Sequence, residues 1–255
     1  MGSKLSVYIS SMRFPDAKEP ENLIEDLRLE VPPDGIVSLL GRSGAGKTTL
    51  LRMIAGLERR FEGEVKLNGG TIQKPGRDVQ IVFQDYRLLP WKTVYGNIEF
   101  AVKNGNGSPN REQIERWIEI VGLEHRKDAW VKNLSGGEKG RAAFARAFVD
   151  QPKVLLLDEP FRGLDLGTKF DLQEQLLNAL RAQKTTVVMV SHSVEDAVFL
   201  SDMVHILSDS PMKIDKTFNI NVERPRNRGD HKLSGITAEI TEYLAVQRKF
   251  LNFET

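Results

Sequence analysis

The chain has no cysteine among its 255 residues. Disulfides and thiolate-bound zinc are therefore excluded, and a reducing cytosol fits. An excess of charge of either sign is also missing. The formal net charge of +1 argues against a strongly basic nucleic-acid footprint. No run of about 18 apolar residues occurs, so the sequence gives no candidate for a membrane span. The N-terminus, MGSKLSVYIS, lacks the apolar core of a signal peptide. It does read M-G-x-x-x-S, a short match to the myristoylation pattern that is common by chance. No internal repeat is visible. What remains, 40% apolar and 28% charged residues, is an ordinary globular composition, in a length that suits one large domain or two small ones.

Strand and helix signals alternate along the chain. LSVYIS and LIEDLRLEV alternate apolar and polar residues, as half-exposed strands do. IVSLL, residues 36–40, is a continuous apolar run, expected of a strand buried on both faces. TTLLRMIAGL then has helical spacing. GEVKLNGG predicts a hairpin strand with a turn at Asn68 and Gly69, and VQIVFQD another strand. Between about Val94 and Phe148 strand signals fade, and REQIERWIEIVGL has a period near 3.6, which predicts a helical insertion. KVLLLDEP and TTVVMVSH return to buried parallel strands, and VHILS is one more. After Ser208 the chain is rich in Pro, Arg and Asn. It ends in a helical run, ITAEITEYLAVQRKFL.

Two stretches are written to hold anions. Gly41, Gly46, Lys47 and Thr48 fit G-x-x-x-x-G-K-[ST], placed between a buried strand and a helix. In such a loop the backbone closes around phosphates, Lys47 reaches the β- and γ-phosphates and the Thr48 hydroxyl ligates Mg²⁺. VLLLDEP supplies acidic groups at the carboxyl end of a buried strand, where open parallel sheets bind ligands. Asp158 is the expected Mg²⁺ ligand and Glu159 the expected general base for an attacking water. The second stretch is LSGGEKGRAAFARAF, residues 134–148. Its Ser135, Gly136 and Gly137 open an apolar-striped helix with free N–H groups and a positive dipole end. Gln84, ending IVFQ, orients water or Mg²⁺ or is a surface amide. His192, after VVMVS, is a site residue or a satisfied structural histidine. Phe14 stacks on a base or belongs to the core.

Taken together, GRSGAGKTT, VFQD, LSGGE, LLLDEP, GLD and VSH occur in the order and approximate spacing of ATP-binding-cassette ATPases, and the resemblance runs from about Leu5 to Ser208. It implies an α/β P-loop NTPase fold: a RecA-like, mostly parallel sheet, an N-terminal antiparallel β-subdomain and an inserted helical subdomain. The implied nucleotide-binding domain covers 1–208, with helical residues 94–150 inserted. An extension, 209–255, ends in a helix. The implied cofactors are ATP and Mg²⁺. By resemblance, Gly41, Arg42, Ser43, Gly44, Ala45, Gly46, Lys47, Thr48 and Thr49 form the phosphate loop. Gln84 falls at the Q-loop, Ser135, Gly136, Gly137 and Glu138 in the signature loop, Asp158 and Glu159 at Walker B and the catalytic base. Asp165 falls in the D-loop, His192 at the switch histidine, and Phe14 at the base-stacking aromatic. Catalysis is thus expected of Glu159, His192, Gln84 and Lys47, and metal binding of Thr48, Gln84 and Asp158.

A narrower likeness follows from DYRLLPWKTVYGNIEFAV, DEPFRGLD and ILSDSP before VERPR, which look like the ATPase subunits of nitrate, sulfonate and taurine importers. That likeness implies an ATPase coupled to solute uptake at the cytoplasmic face of the plasma membrane. Its partners would be a second copy of the chain or a paralogous subunit, a membrane permease and, indirectly, a solute-binding protein. Leu88, Leu89, Pro90 and Trp91 fall where cassettes meet the permease, and form a partner contact or a locally buried loop. Some positions depart from the subfamily pattern: Gly140 for a glutamine, Glu138 for the commonest signature glutamine, Ser193 for an acidic residue, Met203 for an arginine. The other reading is a non-transport cassette ATPase of DNA-repair or translation-factor type. Long coiled-coil insertions or tandem cassettes would mark it; neither is present. The basic cluster in NVERPRNRGDHK is expected to be a solvated linker, or else a contact to lipid or permease.

Overall fold

The structure, a computed structural model, describes residues 2–13, 22–104 and 110–251. Its centre is a six-stranded sheet built from the predicted apolar runs. β3 (Ile36–Leu40), β7 (Val154–Asp158) and β8 (Thr186–Ser191) are buried along their whole lengths. With β6 (Val79–Val82), β9 (Met203–Leu207) and β10 (Ile214–Asn219) they form the order β10-β9-β3-β8-β7-β6. All neighbours are parallel except β10, which runs antiparallel to β9. Sequence reading missed β10, which lies in the Pro- and Arg-rich stretch after Ser208 and has the pattern of a one-faced edge strand.

The period of two in a strand divides these residues between two cores. Val37, Leu39, Leu156, Val188 and Val190 face a cluster shared with α1 (Lys47–Ile54) and a second, antiparallel sheet. That sheet has the order β2-β1-β4-β5, from β1 (Leu5–Met12), β2 (Ile24–Val31), β4 (Glu62–Leu67) and β5 (Gly70–Thr71). The expected hairpin turn is present, with Asn68 and Gly69 both at positive φ. Ile36, Leu40, Leu155, Leu157, Val187 and Met189 face the opposite way, into a cluster filled by helices.

Between β6 and β7 the chain is helical: α2 (Val94–Asn104), α3 (Arg111–Ile120) and α4 (Gly136–Phe148), with two single turns of 3₁₀ helix. Asn110 caps α3 by accepting the N–H of Glu112 at 2.9 Å. Trp117 of α3 stacks on Phe148 of α4 at 5.1 Å. Helices α5 (Leu166–Ala182) and α6 (Val194–Leu200) follow β7 and β8, and α7 (His231–Leu251) closes the fold against α6. α7 starts five residues before the helical run read from sequence. Among the described residues no helix is long and apolar enough to cross a membrane.

The basic cluster before α7 is not a solvated linker. The Arg226 side chain is 1% exposed. It donates to the carbonyls of Val198, Phe199 and Ser201 at 2.7–3.0 Å and to Val222 at 2.9 Å. These include carbonyls left free at the end of α6, where a cation also complements the helix dipole. Arg228 lies between the rings of Phe170 and Phe199, 3.7 Å from each centroid.

Candidate active site

Parallel topology brings the predicted chemistry to one edge. β3, β8 and β7 are neighbours, and the glycine loop, His192 and the Asp158–Glu159 pair follow their carboxyl ends. The loop turns through Gly44 and Gly46 at φ 86° and 91°, a conformation without the Cβ penalty only for glycine. Gly46 then opens α1, so the first residues inside the helix are Lys47 and Thr48.

Lys47 is 5% exposed and donates from Nζ to the carbonyls of Gly41 at 2.8 Å and Arg42 at 2.6 Å. Burial holds its pKa below the usual lysine range, against the attraction of Glu159 and Asp158. The Thr48 hydroxyl donates to Asp158 Oδ2 at 2.9 Å. Burial pushes the Asp158 carboxyl up, partly offset by that hydrogen bond. A nearly buried ammonium on the glycine loop suits an anion, and a carboxylate with a hydroxyl beside it suits a hard cation. Arg42 is paired with Asp209 at 3.0 Å across the mouth of the loop.

Glu159 sits at φ 47°. Its N–H donates to Val190 O at 3.0 Å, and its side chain is 10% exposed. Glu159 Oε2 accepts from Arg162 Nη1 at 2.9 Å and lies 3.4 Å from His192 Nδ1. Arg162 and His192 also line a cavity of about 670 Å³ with Gly41, Arg42 and Ser43. Arg162 escaped the sequence reading. Its signal was a cation three residues after an acidic pair in a Pro/Gly turn.

Not every expected residue joins this group. Gln84 is exposed beyond β6, and its side chain makes no hydrogen bond among the described residues, so the Thr48–Asp158 pair forms without it. Phe14 lies outside the described residues. Ser135 caps α4: its hydroxyl accepts the Glu138 N–H at 3.2 Å, while Glu138 Oε2 accepts the Ser135 N–H at 2.8 Å. Burial opposes the charge on Glu138, yet the Ser135 N–H and the Arg126 guanidinium at 2.8 Å hold its carboxyl below the usual range. Within the chain the Glu138 carboxylate is engaged in the cap. The close packing of Gly137 has a reason inside the monomer, since a Cβ there would stand 2.4 Å from Thr168 Cγ2.

A strand, a glycine loop, a buried lysine and a hydroxyl on a strand-end aspartate define a P-loop nucleoside-triphosphate-binding protein. The sequence profile of the ABC transporter family matches residues 24–162. The nitrate import ATP-binding protein NrtD of Synechococcus elongatus is 41% identical over 220 residues, covering 84% of this chain and 80% of that protein. The aliphatic sulfonates import ATP-binding protein SsuB of Bacillus subtilis is 38% identical over 224 residues, covering 88% of each. A solved dimer of the cassette MJ0796, in a post-hydrolysis state bound to ADP and phosphate, superposes with a TM-score of 0.73 at 25% identity, over 86% of this chain and 100% of that one. The chain belongs to the ABC transporter family, and it is an ATPase of that family.

Proposed function

We propose that the chain is the ATP-hydrolysing subunit of an importer, and that two copies form each ATP site between them. One observation carries the pairing. The α4 N-terminus at Ser135 makes no hydrogen bond to residues 41–49 among the described residues, and the cavity at Gly41–Ser43 is lined by none of Ser135–Glu138. Two phosphate-binding ends that do not meet within one chain can meet between two, which also agrees with the dimeric cassette described above. Ser135 and the N–H groups of Gly136 and Gly137 would then face the γ-phosphate held by the partner copy's loop, each helix end contributing about 0.3–2 kcal/mol.

Lys47 and the loop Gly41–Thr49 bind the triphosphate. Thr48 and Asp158 would hold Mg²⁺, which supplies charge neutralisation between phosphate oxygens when bound; a hydroxyl and a carboxylate suit a hard ion that keeps water and phosphate ligands. Glu159 takes a proton from water as the water oxygen bonds to the γ-phosphorus. The bond from that phosphorus to the bridging oxygen breaks, leaving ADP and phosphate. His192 beside Glu159 is the switch residue, and Gln84 swings in only when the site is filled.

Exposed aromatics support a membrane partner. Trp91 is 68% exposed and starts a short stretch beside Trp130 and Phe100: Thr93 bridges to Trp130, and the Lys92 ammonium lies over the Phe100 ring. Buried Asn97 braces this segment through both the N–H and the carbonyl of Leu89. We place the permease on it, with the subunit peripheral at the cytoplasmic face and a solute-binding protein acting through the permease. The names of the relatives, for nitrate and aliphatic sulfonates, make a small oxyanion of that kind the working class of solute, and the sequence likeness adds taurine. The nucleotide-binding domain is taken as 1–208 with 94–150 inserted, and 209–255 as an extension built onto its sheet through β10.

Mixing tests the shared site. Purified Lys47→Ala and Ser135→Arg chains should each be inactive. Mixed together, they form heterodimers with one intact site, so ATPase activity should reappear. If mixing restores nothing while each variant still folds, the two halves do not belong to one interchain site.

A further inference from the structure

Arg162 is fixed at its root, and its half-exposed tip is paired with Glu159. The turn that carries it is anchored by the Glu159 N–H on Val190 O, by the Tyr86 hydroxyl donating to Pro160 O at 2.9 Å, and by the Phe161 ring in the core. The Arg162 N–H closes the turn on Glu159 O at 3.2 Å. The side chain then folds back over Glu159, and Nη1 reaches Oε2 at 2.9 Å while the guanidinium stays half exposed. A half-exposed ion pair three residues apart contributes little stability. Its geometric effect is larger. The Glu159 carboxylate is nearly buried at a positive φ and meets two nitrogen groups, from Arg162 and His192, on the same oxygen. A charge-assisted hydrogen bond to one oxygen fixes the rotation of the carboxylate plane.

We propose that Arg162 is a positioning residue for hydrolysis: it holds one oxygen of Glu159 so that the carboxylate is already oriented when water is to be deprotonated. This rests on the reading of Glu159 as the base. Arg162 also lines the cavity at Gly41–Ser43, so the ATP affinity of its variants separates action through Glu159 from contact with the nucleotide. Misplacing a reacting group by about 1 Å can cost on the order of 10²-fold in rate, and a loosened but present carboxylate should cost less.

The test measures turnover and ATP affinity of the full chain for Arg162→Ser and Arg162→Lys, each also combined with Glu159→Gln, with single-turnover rates where hydrolysis is slow. Arg162→Ser should lower kcat about tenfold with the Kd for ATP unchanged within about twofold, a split between chemistry and binding that misplacement predicts. Arg162→Lys should recover most of the rate, and in the Glu159→Gln background Arg162→Ser should remove nothing further. Turnover of Arg162→Ser within about twofold of the parent, weaker ATP binding in proportion to the lost rate, or an equal loss on top of Glu159→Gln would each overturn the proposal. Near-normal turnover of Glu159→Gln alone would instead remove the base reading on which it stands.

Discussion

Glu159 and Lys47 show how far single residues can be read. Each is the end of a local pattern, strand to loop to helix or strand to acidic pair, so its place at the sheet edge follows from its neighbours in sequence. The carboxylate's surroundings do not. Replacing Glu159 with Gln keeps the shape and removes the basic oxygen. Hydrolysis, followed as phosphate release, should fall by about 10²–10⁴-fold while nucleotide binding persists, and the variant should elute as an ATP-dependent dimer. A variant that turns over normally would exclude Glu159 as the base. A second residue, His205, is silent in the sequence but makes stability depend on pH. It is buried on β9, with Nδ1 paired to Thr217 Oγ1 at 2.7 Å and Nε2 without a hydrogen-bond partner among the described residues. Burial pushes its pKa from 6.5 down to about 4. The unfolded chain therefore binds a proton that the folded chain refuses between those values, and stability falls as pH drops from about 6.5 to about 4. The contribution is on the order of 3 kcal/mol. Urea midpoints measured across that window should decline less steeply in His205→Leu than in the parent.

At the scale of elements, α4 carries most of the information. S-x-x-E is a capping-box pattern, but the assignment of Ser135 and Glu138 to the ligand came from the resemblance of the loop, and one pattern can serve both ends. The structure has the serine hydroxyl accepting a helix N–H, which leaves its hydrogen available to a phosphate. Two long side chains complete the element: Arg126 on Glu138, and Arg146 donating to the carbonyls of Tyr86 at 2.7 Å and Arg87 at 2.6 Å. Tyr86 and Arg87 both have positive φ, so Arg146 ties the strained turn after Gln84 to the helix that begins at Ser135. Gly140 explains one departure from the subfamily pattern. A Cβ at this position would lie 2.6 Å from Leu172 Cδ2 and 3.1 Å from the Tyr86 hydroxyl, so α5 packs where a side chain would stand. Gly140→Gln should destabilise by about 1–3 kcal/mol through overpacking, seen as a lower midpoint in thermal or urea unfolding. An unchanged midpoint would mean that α4 and α5 separate easily.

For the whole molecule, the C-terminal segment is held by an apolar seam, with Leu233, Ile236, Ile240 and Leu244 of α7 packed into the helical core, and by arginines beside it. Arg226 links the segment before α7 to the end of α6, and Arg224 pairs with Asp202. Burial, with the neighbouring Arg224 charge, pushes the pKa of Arg226 down to about 10, still charged at neutral pH. Arg226→Ala strips several carbonyls of a charged donor, each such bond being worth about 1.5–3 kcal/mol. Hydrogen exchange in α7 and β10 should speed up selectively, while the strands β3, β7 and β8 stay protected. Uniform protection would show that the tail docks without it.

The sequence by itself determined the class of fold and the placing of the glycine loop and the acidic pair at one sheet edge. Apolar runs long enough only for buried strands, a glycine loop entering a helix and carboxylates at a strand end are local patterns, and local patterns dictate local geometry. Tertiary structure decided what the charged side chains touch. Arg146 and Arg226 find partners 59–60 and 25–28 residues away, and Arg162, close in sequence to Glu159, reaches it only because the core fixes the intervening turn. Such contacts depend on where whole elements pack, because a long cation takes the nearest buried acceptor in space, wherever in the chain it comes from.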